Sequence, residues 1–179
     1  MPRAVNESWP SPVTTQLPGF AELRGALSAF ATGVVVVTAA YEGGEHGMTA
    51  NSFTSVSLRP PLVLVCIDND ARMSRVLERG MDFGLSVLAA GQESISRHFA
   101  GRPQADTAID FAWRRGVPLV SGALAHFVCR VTDSHVTGDH TVQIAEVQYC
   151  ERFRKAPLVF FGGSYAGLHA GAGGECRPP

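Results

Sequence analysis

The feature that most constrains the fold is a series of short apolar segments, each ended by residues that favour turns. Val34 begins a run of four valines, and Glu42-Gly43-Gly44-Glu45 follows as a hairpin turn in which glycine accepts positive φ. Residues 62–67 are apolar without a break, which predicts a strand buried on both faces. The prolines at 60 and 61 end the preceding strand, because proline cannot donate to a ladder. Consecutive hairpins therefore predict a mainly β chain.

The remaining periodicity predicts further strands and three flanking helices. Apolar residues at 20, 23, 27 and 30 have helical spacing and predict a helix over 20–31, which Gly33 ends. Further helices are predicted over 71–79, capped by Asp68-Asn69-Asp70, and over 92–100. Strands are predicted over residues 34–38, 47–57, 62–67, 83–89, 124–136, 141–149 and 157–161, with an exposed loop over 101–118 and a Gly138-Asp139 turn. We expect an antiparallel barrel with helices packed around it.

Length and composition limit the organisation and the partners. The 179 residues fit one domain over 19–170, between a proline-rich flexible arm at 1–18 and a Gly/Pro-rich flexible tail at 171–179. Charged residues make up only 17 %, which favours an oligomer, and the net charge of -1 without a basic stripe argues against a nucleic-acid partner. No apolar run is long enough to cross a membrane. Four cysteines without zinc-site spacing predict reduced thiols in the cytoplasm.

The familiar catalytic and nucleotide-binding motifs are absent from the sequence. There is no phosphate-binding glycine loop, no nucleophile elbow and no H-E-x-x-H pair, and the six histidines lack metal-binding spacing. We therefore expect neither a metal site nor a protein nucleophile. His126 is expected to be a surface histidine or a hydrogen-bonded one.

Three polar segments remain as candidates for chemistry. Residues 49–55 read Thr-Ala-Asn-Ser-Phe-Thr-Ser, which suits either a cradle for a planar polar ligand or a solvated edge strand. Residues 68–74 place Arg72 at a predicted helix start, which suits either a phosphate site or an ordinary helix cap. His140 follows a tight turn, where it either reaches into a cleft or lies in water.

Taken together, five segments resemble the flavin reductase-like family, the reductase components of two-component flavin-dependent monooxygenases. The segments are MTANSFTSVS at 48–57 followed by PPLVLVC at 60–66, FGLSVL at 83–88, SRHFA at 96–100, GDHT at 138–141 running into Glu146-Val147, and PLVFFGGSY at 157–165. They follow in order and cover residues 23–168. The resemblance implies an antiparallel split β-barrel of the FMN-binding type, mainly β with flanking helices, as a homodimer.

The resemblance also implies roles for individual residues. It places the polar run against the flavin ring and its ribityl chain, the end of the apolar strand beside the flavin, and the following helix start near the phosphate. It places His140 near the nicotinamide as the catalytic residue, and Tyr165 near the outer face of the ring. The implied cofactor-binding residues are Thr49, Ala50, Asn51, Ser52, Ser55, Val56, Cys66, Ile67, Asp68, Ala71, Arg72, Ser74, Phe99, His140 and Tyr165.

The implied function is hydride transfer from NADH to noncovalently bound FMN or FAD. Reduced flavin would then diffuse to a partner monooxygenase, and family habit suggests natural-product or aromatic-compound oxidation. NADPH is less expected than NADH, because no basic cluster awaits a 2′-phosphate. The alternatives are a noncatalytic flavin-binding or storage protein on the same barrel, an oxidase of the pyridoxamine-phosphate type, and a structural or adaptor protein.

Overall fold

The computed structural model describes residues 19–78, 80–104 and 107–168. The predicted arm at 1–18 and tail at 171–179 lie outside these ranges. The described chain is mainly β with few helices, as predicted. Its elements are α1 Phe20–Ser28, β1 Thr32–Gly33, β2 Val35–Tyr41, β3 Gly44–Ala50, β4 Thr54–Leu58, β5 Pro61–Asp68, α2 Arg72–Val76, β6 Asp82–Val87, α3 Glu93–Phe99, β7 Phe111–Arg114, β8 Val117–Val120, β9 Ala125–Thr137, β10 His140–Arg152, β11 Leu158–Phe161 and β12 Ser164–Gly167.

A seven-stranded sheet with the order β3-β2-β6-β9-β10-β5-β4 forms the main body. All of its neighbouring strands pair antiparallel. A three-stranded sheet, β1-β11-β12, and the hairpin β7-β8 accompany it. The backbone pairing leaves β3 and β4 as edges, so it does not close the main sheet into a barrel.

Two tight turns follow the sequence expectations. Between β2 and β3, Glu42 and Gly43 have φ of 51° and 78°, which matches the twist of the flanking strands. Between β9 and β10, Gly138 has φ of 65° and Thr137 pairs with His140 across the turn. Both predicted hairpins are therefore confirmed.

The central core lies on one face of the main sheet. Alternate residues of β2, β5, β6 and β9 meet there, and Met73, Val76 and Leu77 from α2 and the residue after it complete the cluster. Each of these three residues is at most 2 % exposed. The packing holds α2 and the end of β5 in a fixed relation.

A second cluster lies on the opposite face of β2. Val36 and the preceding Val34 pack there with Leu88, Val120 and Leu158, and α3 contributes Ile95 and Phe99. β2 is thus buried on both faces. The sequence predicted burial on both faces for a different strand, the one over residues 62–67. That prediction is wrong for the single chain, because β5 alternates between buried and half-buried residues. An unbroken apolar run does not reveal which face another element covers.

The structure corrects three further predictions. The strand expected over 47–57 divides into β3 and β4, because the chain bends at residues 51–53. The loop expected over 101–118 contains β7 and the start of β8, whose Val117 and Leu119 are core residues that the sequence pattern concealed. The N-cap of α2 is Ala71 and has no side-chain hydrogen bond, so the aspartates do not cap this short helix.

His126 is buried and hydrogen-bonded, the second of the two states expected for it. Its Nε2 lies 2.8 Å from the carbonyl oxygen of Val120 and its Nδ1 lies 2.9 Å from Oε1 of Glu151. Glu151 also lies 3.4 Å from Arg114, whose Nε donates to the hydroxyl of Tyr149. This group, the His126 hub, joins the β7-β8 hairpin to β9 and β10.

Candidate functional site

A cleft of about 530 Å³ opens between the end of α1 and the segment that joins β3 to β4. It is called the α1 cleft below. Its walls combine apolar side chains with hydroxyl and amide groups, an arrangement typical of sites for small organic ligands. The lining residues are Leu27, Phe30, Ala31, Thr32, Gly33, Val35, Asn51, Ser52, Phe53, Thr54 and Val87.

The bend at residues 51–53 gives this cleft its polar wall. The Ser52 hydroxyl donates to the carbonyl oxygen of Cys66 at 2.9 Å and accepts from the N–H of Cys66 at 3.0 Å. A side chain thus takes the place of a strand neighbour at this point of β5. The two bonds fix the bend against β5 and leave Asn51 exposed on the cleft wall.

From Cys66, β5 leads to a polar rim. Ile67 is fully buried in the core, whereas Asp68 is exposed and pairs in register with His140. Asn69 ties the rim together, because its side-chain oxygen accepts from Thr141 at 2.7 Å and its N–H donates to the Asp139 carbonyl at 3.0 Å. The rim therefore joins the end of β5 to the β9-β10 turn.

His140 lies on this rim with its side chain 44 % exposed. Its Nδ1 is 2.7 Å from Oδ1 of Asp139. This hydrogen bond from His140, followed by the charge of the histidine, lowers the pKa of Asp139 below its usual value. The carboxylate stays ionised over most of the pH range and orients the ring, with Nε2 as the nitrogen left for a ligand.

The residues predicted to approach a phosphate lie at the start of α2, but they do not share one site. Ala71 is half-buried, and Arg72 is exposed and lies 3.5 Å from Glu42 of the β2-β3 turn. Ser74 instead lines a separate cleft of about 430 Å³ together with Thr141.

The charge of Arg72 also acts on His46 of β3. Burial, followed by the charge of Arg72, lowers the pKa of His46, which keeps that imidazole neutral near pH 7. Arg72 is therefore the cation that the helix start presents toward the β2-β3 hairpin.

Three predicted residues meet on the opposite face of β3, at α3. The Thr49 hydroxyl donates to the carbonyl oxygen of Ser96 at 2.7 Å, and the hydroxyls of Ser96 and Tyr165 lie 2.8 Å apart. The Phe99 ring packs against Gly47, where an added Cβ would overlap it. The Thr49 hydroxyl is thus already engaged in holding the helix.

The last predicted residues lie on strand edges. Ser55 and Val56 are exposed on edge strand β4, where a register shift lies between Ser55 and Ser57. Ala50 packs against the central core from the end of β3. The structure therefore places Ser52 against Cys66 of β5 and pairs His140 with Asp68 at the end of the same strand. Thr49, Phe99 and Tyr165 lie at α3 instead.

The sequence did not identify the other wall of the α1 cleft. Leu27, Phe30, Thr32 and Val87 come from three segments that meet only in the folded chain. Gly33 was interpreted only as the residue that ends a helix, and no local signal marks Thr32 as part of a site. Only the tertiary arrangement reveals these residues.

Other catalytic machinery is not found in the described ranges. Those residues contain no group of three or more His, Cys, Asp or Glu side chains arranged to hold a metal ion. Burial, chiefly, raises the pKa of the Cys129 thiol to about 12, so this thiol stays protonated. No helix among them has the length and apolar character needed to span a bilayer.

These features define a class of protein: a mainly β chain with a cleft lined by apolar, hydroxyl and amide side chains. A model of the family described as "Flavin reductase like domain" matches residues 27–169. The chain belongs to this family, and the resemblance predicted from sequence is confirmed.

Curated relatives agree with the assignment. The chain is 48 % identical over 149 residues to an NADH-dependent flavin reductase of Rhodococcus sp, covering 82 % of this chain and 85 % of that protein. It is 40 % identical over 146 residues to the reductase component of 4-hydroxyphenylacetate 3-monooxygenase of Thermus thermophilus, covering 81 % and 94 %. The solved structure of the flavin reductase PheA2 matches with a TM-score of 0.82 and 37 % identity, covering 86 % of this chain and 100 % of that one.

Proposed function

We propose that the protein transfers a hydride from NADH to FMN or FAD held without a covalent bond, with the flavin ring in the α1 cleft. The reaction class follows from the family and from the relatives named as NADH-dependent flavin reductases. The observation that carries the location is the pairing, in one cleft, of Asn51 and Ser52 with the apolar side chains of Leu27, Phe30 and Phe53.

The cleft residues suit the ring system of a flavin. A bound flavin supplies the hydride-accepting chemistry. The side chains of Leu27, Phe30 and Phe53 exclude water from the faces of the ring, and the Asn51 amide offers both donors and an acceptor to its polar edge.

Charged groups on the rim suit the phosphate of the flavin nucleotide and the nicotinamide of NADH. The Arg72–Glu42 pair is long and mostly exposed, so it holds the guanidinium weakly and leaves it available to a phosphate. His140 presents Nε2 from the rim and contacts the nicotinamide of NADH, while Asp139 holds its orientation. Both FMN and FAD are proposed as substrates.

The proposed architecture is a split barrel that acts as a homodimer. Ser52 supports the barrel, because its two bonds to Cys66 bring the chain beyond β3 against β5. A second copy of the chain covers α1, which has no buried residue of its own. The exposed apolar side chains of this segment are those of Phe20, Leu23, Leu27 and Phe30, with exposed fractions of 76, 44, 65 and 77 %. A contiguous apolar surface of this kind marks an interface.

The partner is a flavin-dependent monooxygenase that receives reduced flavin by diffusion. The name of the Thermus relative, a monooxygenase reductase component, supports this pairing. Noncovalent binding in an open cleft allows the release that the transfer requires. We place the pair in the reducing cytoplasm, since Cys66, Cys129 and Cys150 are free thiols.

The test mixes purified protein with NADH and either FMN or FAD and follows the loss of nicotinamide absorbance. We expect oxidation that depends on both the protein and added flavin, and that falls in Asn51→Ala and His140→Ala variants. His135→Ala is the matched control, because His135 is an exposed histidine paired with Asp133 on β9. A protein that binds FMN yet leaves NADH unoxidised is the storage protein instead.

A further inference from the structure

Asn69 is a half-buried residue at the junction between β5 and α2. It follows Asp68, the last residue of β5, which pairs with His140 in the ladder. The Asp68 carbonyl oxygen accepts from the N–H of Ala71, so the chain turns sharply here toward the helix that begins at Arg72. Asn69 therefore lies where the strand that pairs with His140 leads into the helix that carries Arg72.

Three hydrogen bonds join Asn69 to the β9-β10 turn and the start of β10. Its Nδ2 donates to the carbonyl oxygen of Gly138 at 3.3 Å, and its N–H donates to that of Asp139 at 3.0 Å. Its Oδ1 accepts from the hydroxyl of Thr141, a buried residue, at 2.7 Å. Gly138 and Asp139 precede His140 and Thr141 follows it, so the three bonds hold the backbone on both sides of His140.

The turn has little packing to hold it in place. Residues 133–139 are all exposed, and the Asp139 side chain is 91 % exposed. Chain segments with few buried contacts open locally at a low free-energy cost. The His140 side chain takes its position from the backbone of this turn and from its hydrogen bond to Asp139. A residue that fixes the turn therefore fixes the direction in which Nε2 of His140 points.

We propose that Asn69 is a positioning residue of the reductase, which acts on NADH through His140. This inference rests on the proposed function, in which His140 contacts the nicotinamide. Both polar groups of the Asn69 side chain are already bonded to other residues of the chain, so its role is to hold the turn. A contacting side chain binds well only when its neighbours hold it within about 0.5 Å of the productive geometry.

Asn69→Ala removes both side-chain bonds and leaves the backbone bond to Asp139 in place. A contact made equally in the ground state and the transition state changes KM and leaves kcat alone. We therefore expect KM for NADH to rise about fivefold, as for loss of one hydrogen bond, with kcat within about twofold of wild type. The Kd for NADH, titrated without flavin, should rise equally. The Kd for FMN should stay constant, because α2 is held by its own core residues.

Thr141 provides a second variant from the other side of the same bond. Thr141→Val removes the hydroxyl that donates to Oδ1 of Asn69 and keeps the shape of the side chain. We expect it to raise KM for NADH in the same way as Asn69→Ala, by a smaller factor, because one bond is lost instead of two. Thr141→Ser keeps the hydroxyl and is expected to restore KM.

A double variant separates positioning from a structural role. When Asn69→Ala is combined with His140→Ala, KM and Kd for NADH should equal those of His140→Ala alone, because Asn69 acts only through that side chain. Gln92→Ala is the matched control. Gln92 is a half-buried amide whose Oε1 accepts from the N–H of Ala89 and whose Nε2 donates to the Ser121 carbonyl. It should leave KM for NADH unchanged.

Each other outcome has a definite meaning. Additive losses in the double variant overturn the inference, as does a rise in the Kd for FMN equal to that for NADH. A rise in KM for Gln92→Ala as large as that for Asn69→Ala overturns it too. If wild-type protein binds NADH through His140 and Asn69 but passes no hydride to flavin, the proposed function fails and the inference stands. If wild-type protein neither binds nor oxidises NADH, both fail.

Discussion

The His126 hub and the α1 cleft differ in how far their side chains are buried and bonded within the chain. In the hub, each nitrogen of the buried His126 ring has a partner, and Glu151 and Arg114 join it to two further strands. In the cleft, apolar side chains such as Leu27 and Phe30 are mostly exposed, and Thr32 keeps a buried hydroxyl without a partner.

The difference teaches which part of the fold serves stability and which part serves binding. Groups satisfied within the chain contribute to the free energy of folding, whereas groups left unsatisfied in a cleft keep their interactions for a ligand or a second chain. Substitutions in the hub should therefore change stability more than affinity. Substitutions in the cleft should do the reverse.

The largest effect on stability is expected from His126→Ala. It removes a buried hydrogen bond to the carbonyl of Val120 and a partly buried one to the Glu151 carboxylate, which keeps only its 3.4 Å pair with Arg114. We expect the free energy of unfolding to fall by about 2–4 kcal/mol and Tm by about 5–12 °C. Thermal denaturation followed by circular dichroism measures both.

The exposed His135 provides the control for that variant, because His135→Ala loses only a surface pair with Asp133. The Kd of folded His126→Ala for FMN should stay within about twofold of wild type, since hub and cleft share no residue. A large loss of flavin affinity with little loss of stability would contradict the conclusion that the hub serves stability and the cleft serves binding.

Ser52→Ala tests a cleft residue that is expected to serve stability, since Ser52 lines the cleft but its hydroxyl already bonds to Cys66. We expect a loss of about 1–2 kcal/mol in stability, because two bonds to the β5 backbone disappear. Ser55→Ala, at an exposed position on β4, is the control and should have little effect. If Ser52→Ala keeps its Tm and loses flavin affinity instead, the hydroxyl binds the flavin rather than stabilising the bend.

The acid stability of the hub is a smaller effect confined to low pH. The hydrogen bond from His126, with Arg114 contributing and burial opposing, holds the pKa of Glu151 below its usual 4.5. A carboxyl with a lowered folded-state pKa stabilises the fold above its unfolded pKa and loses that contribution as the pH falls through the folded value.

We therefore expect wild-type protein to lose stability steeply below about pH 4.5, as Glu151 takes up a proton. Glu151→Gln should be less stable at pH 7 and should show a shallower acid limb in urea denaturation at a series of pH values. Parallel acid limbs for the two proteins would show that another group controls acid unfolding.

The smallest effect on stability is expected from Arg72→Gln, which removes an exposed ion pair with Glu42. The change should stay within about 0.5 kcal/mol. The Kd for FMN should nevertheless rise about fivefold while that for riboflavin stays constant, because only FMN carries the phosphate. Arg75→Gln, on the same helix, is the control. Equal losses for FMN and riboflavin would remove Arg72 from the phosphate site.

Much of the fold followed from local pattern. The valine run, the Glu42-Gly43 turn and the Gly138-Asp139 turn are each determined by residues close together in the sequence, and all were found as predicted. The β7-β8 hairpin was missed, because Val117 and Leu119 are interrupted by proline and preceded by polar residues. Their burial depends on β2, β6 and β9, which no local window contains.

The site could be predicted only in part for the same reason. Asn51 and Ser52 were identified because a run of small polar side chains is unusual within a strand. Thr32 and Val87 were missed, since they join the α1 cleft only after α1, β2 and β6 come together. The engagement of the Ser52 and Thr49 hydroxyls by other backbone groups likewise depends on tertiary contacts.

The central claim is that the flavin ring lies in the α1 cleft, and a crystal structure of the FMN complex measures this directly. We expect the ring between Phe30 and the bend at residues 51–53, with its polar edge against the Asn51 side chain. A ring located instead against Phe99 and Tyr165 at α3, with the α1 cleft filled by water, would contradict the account.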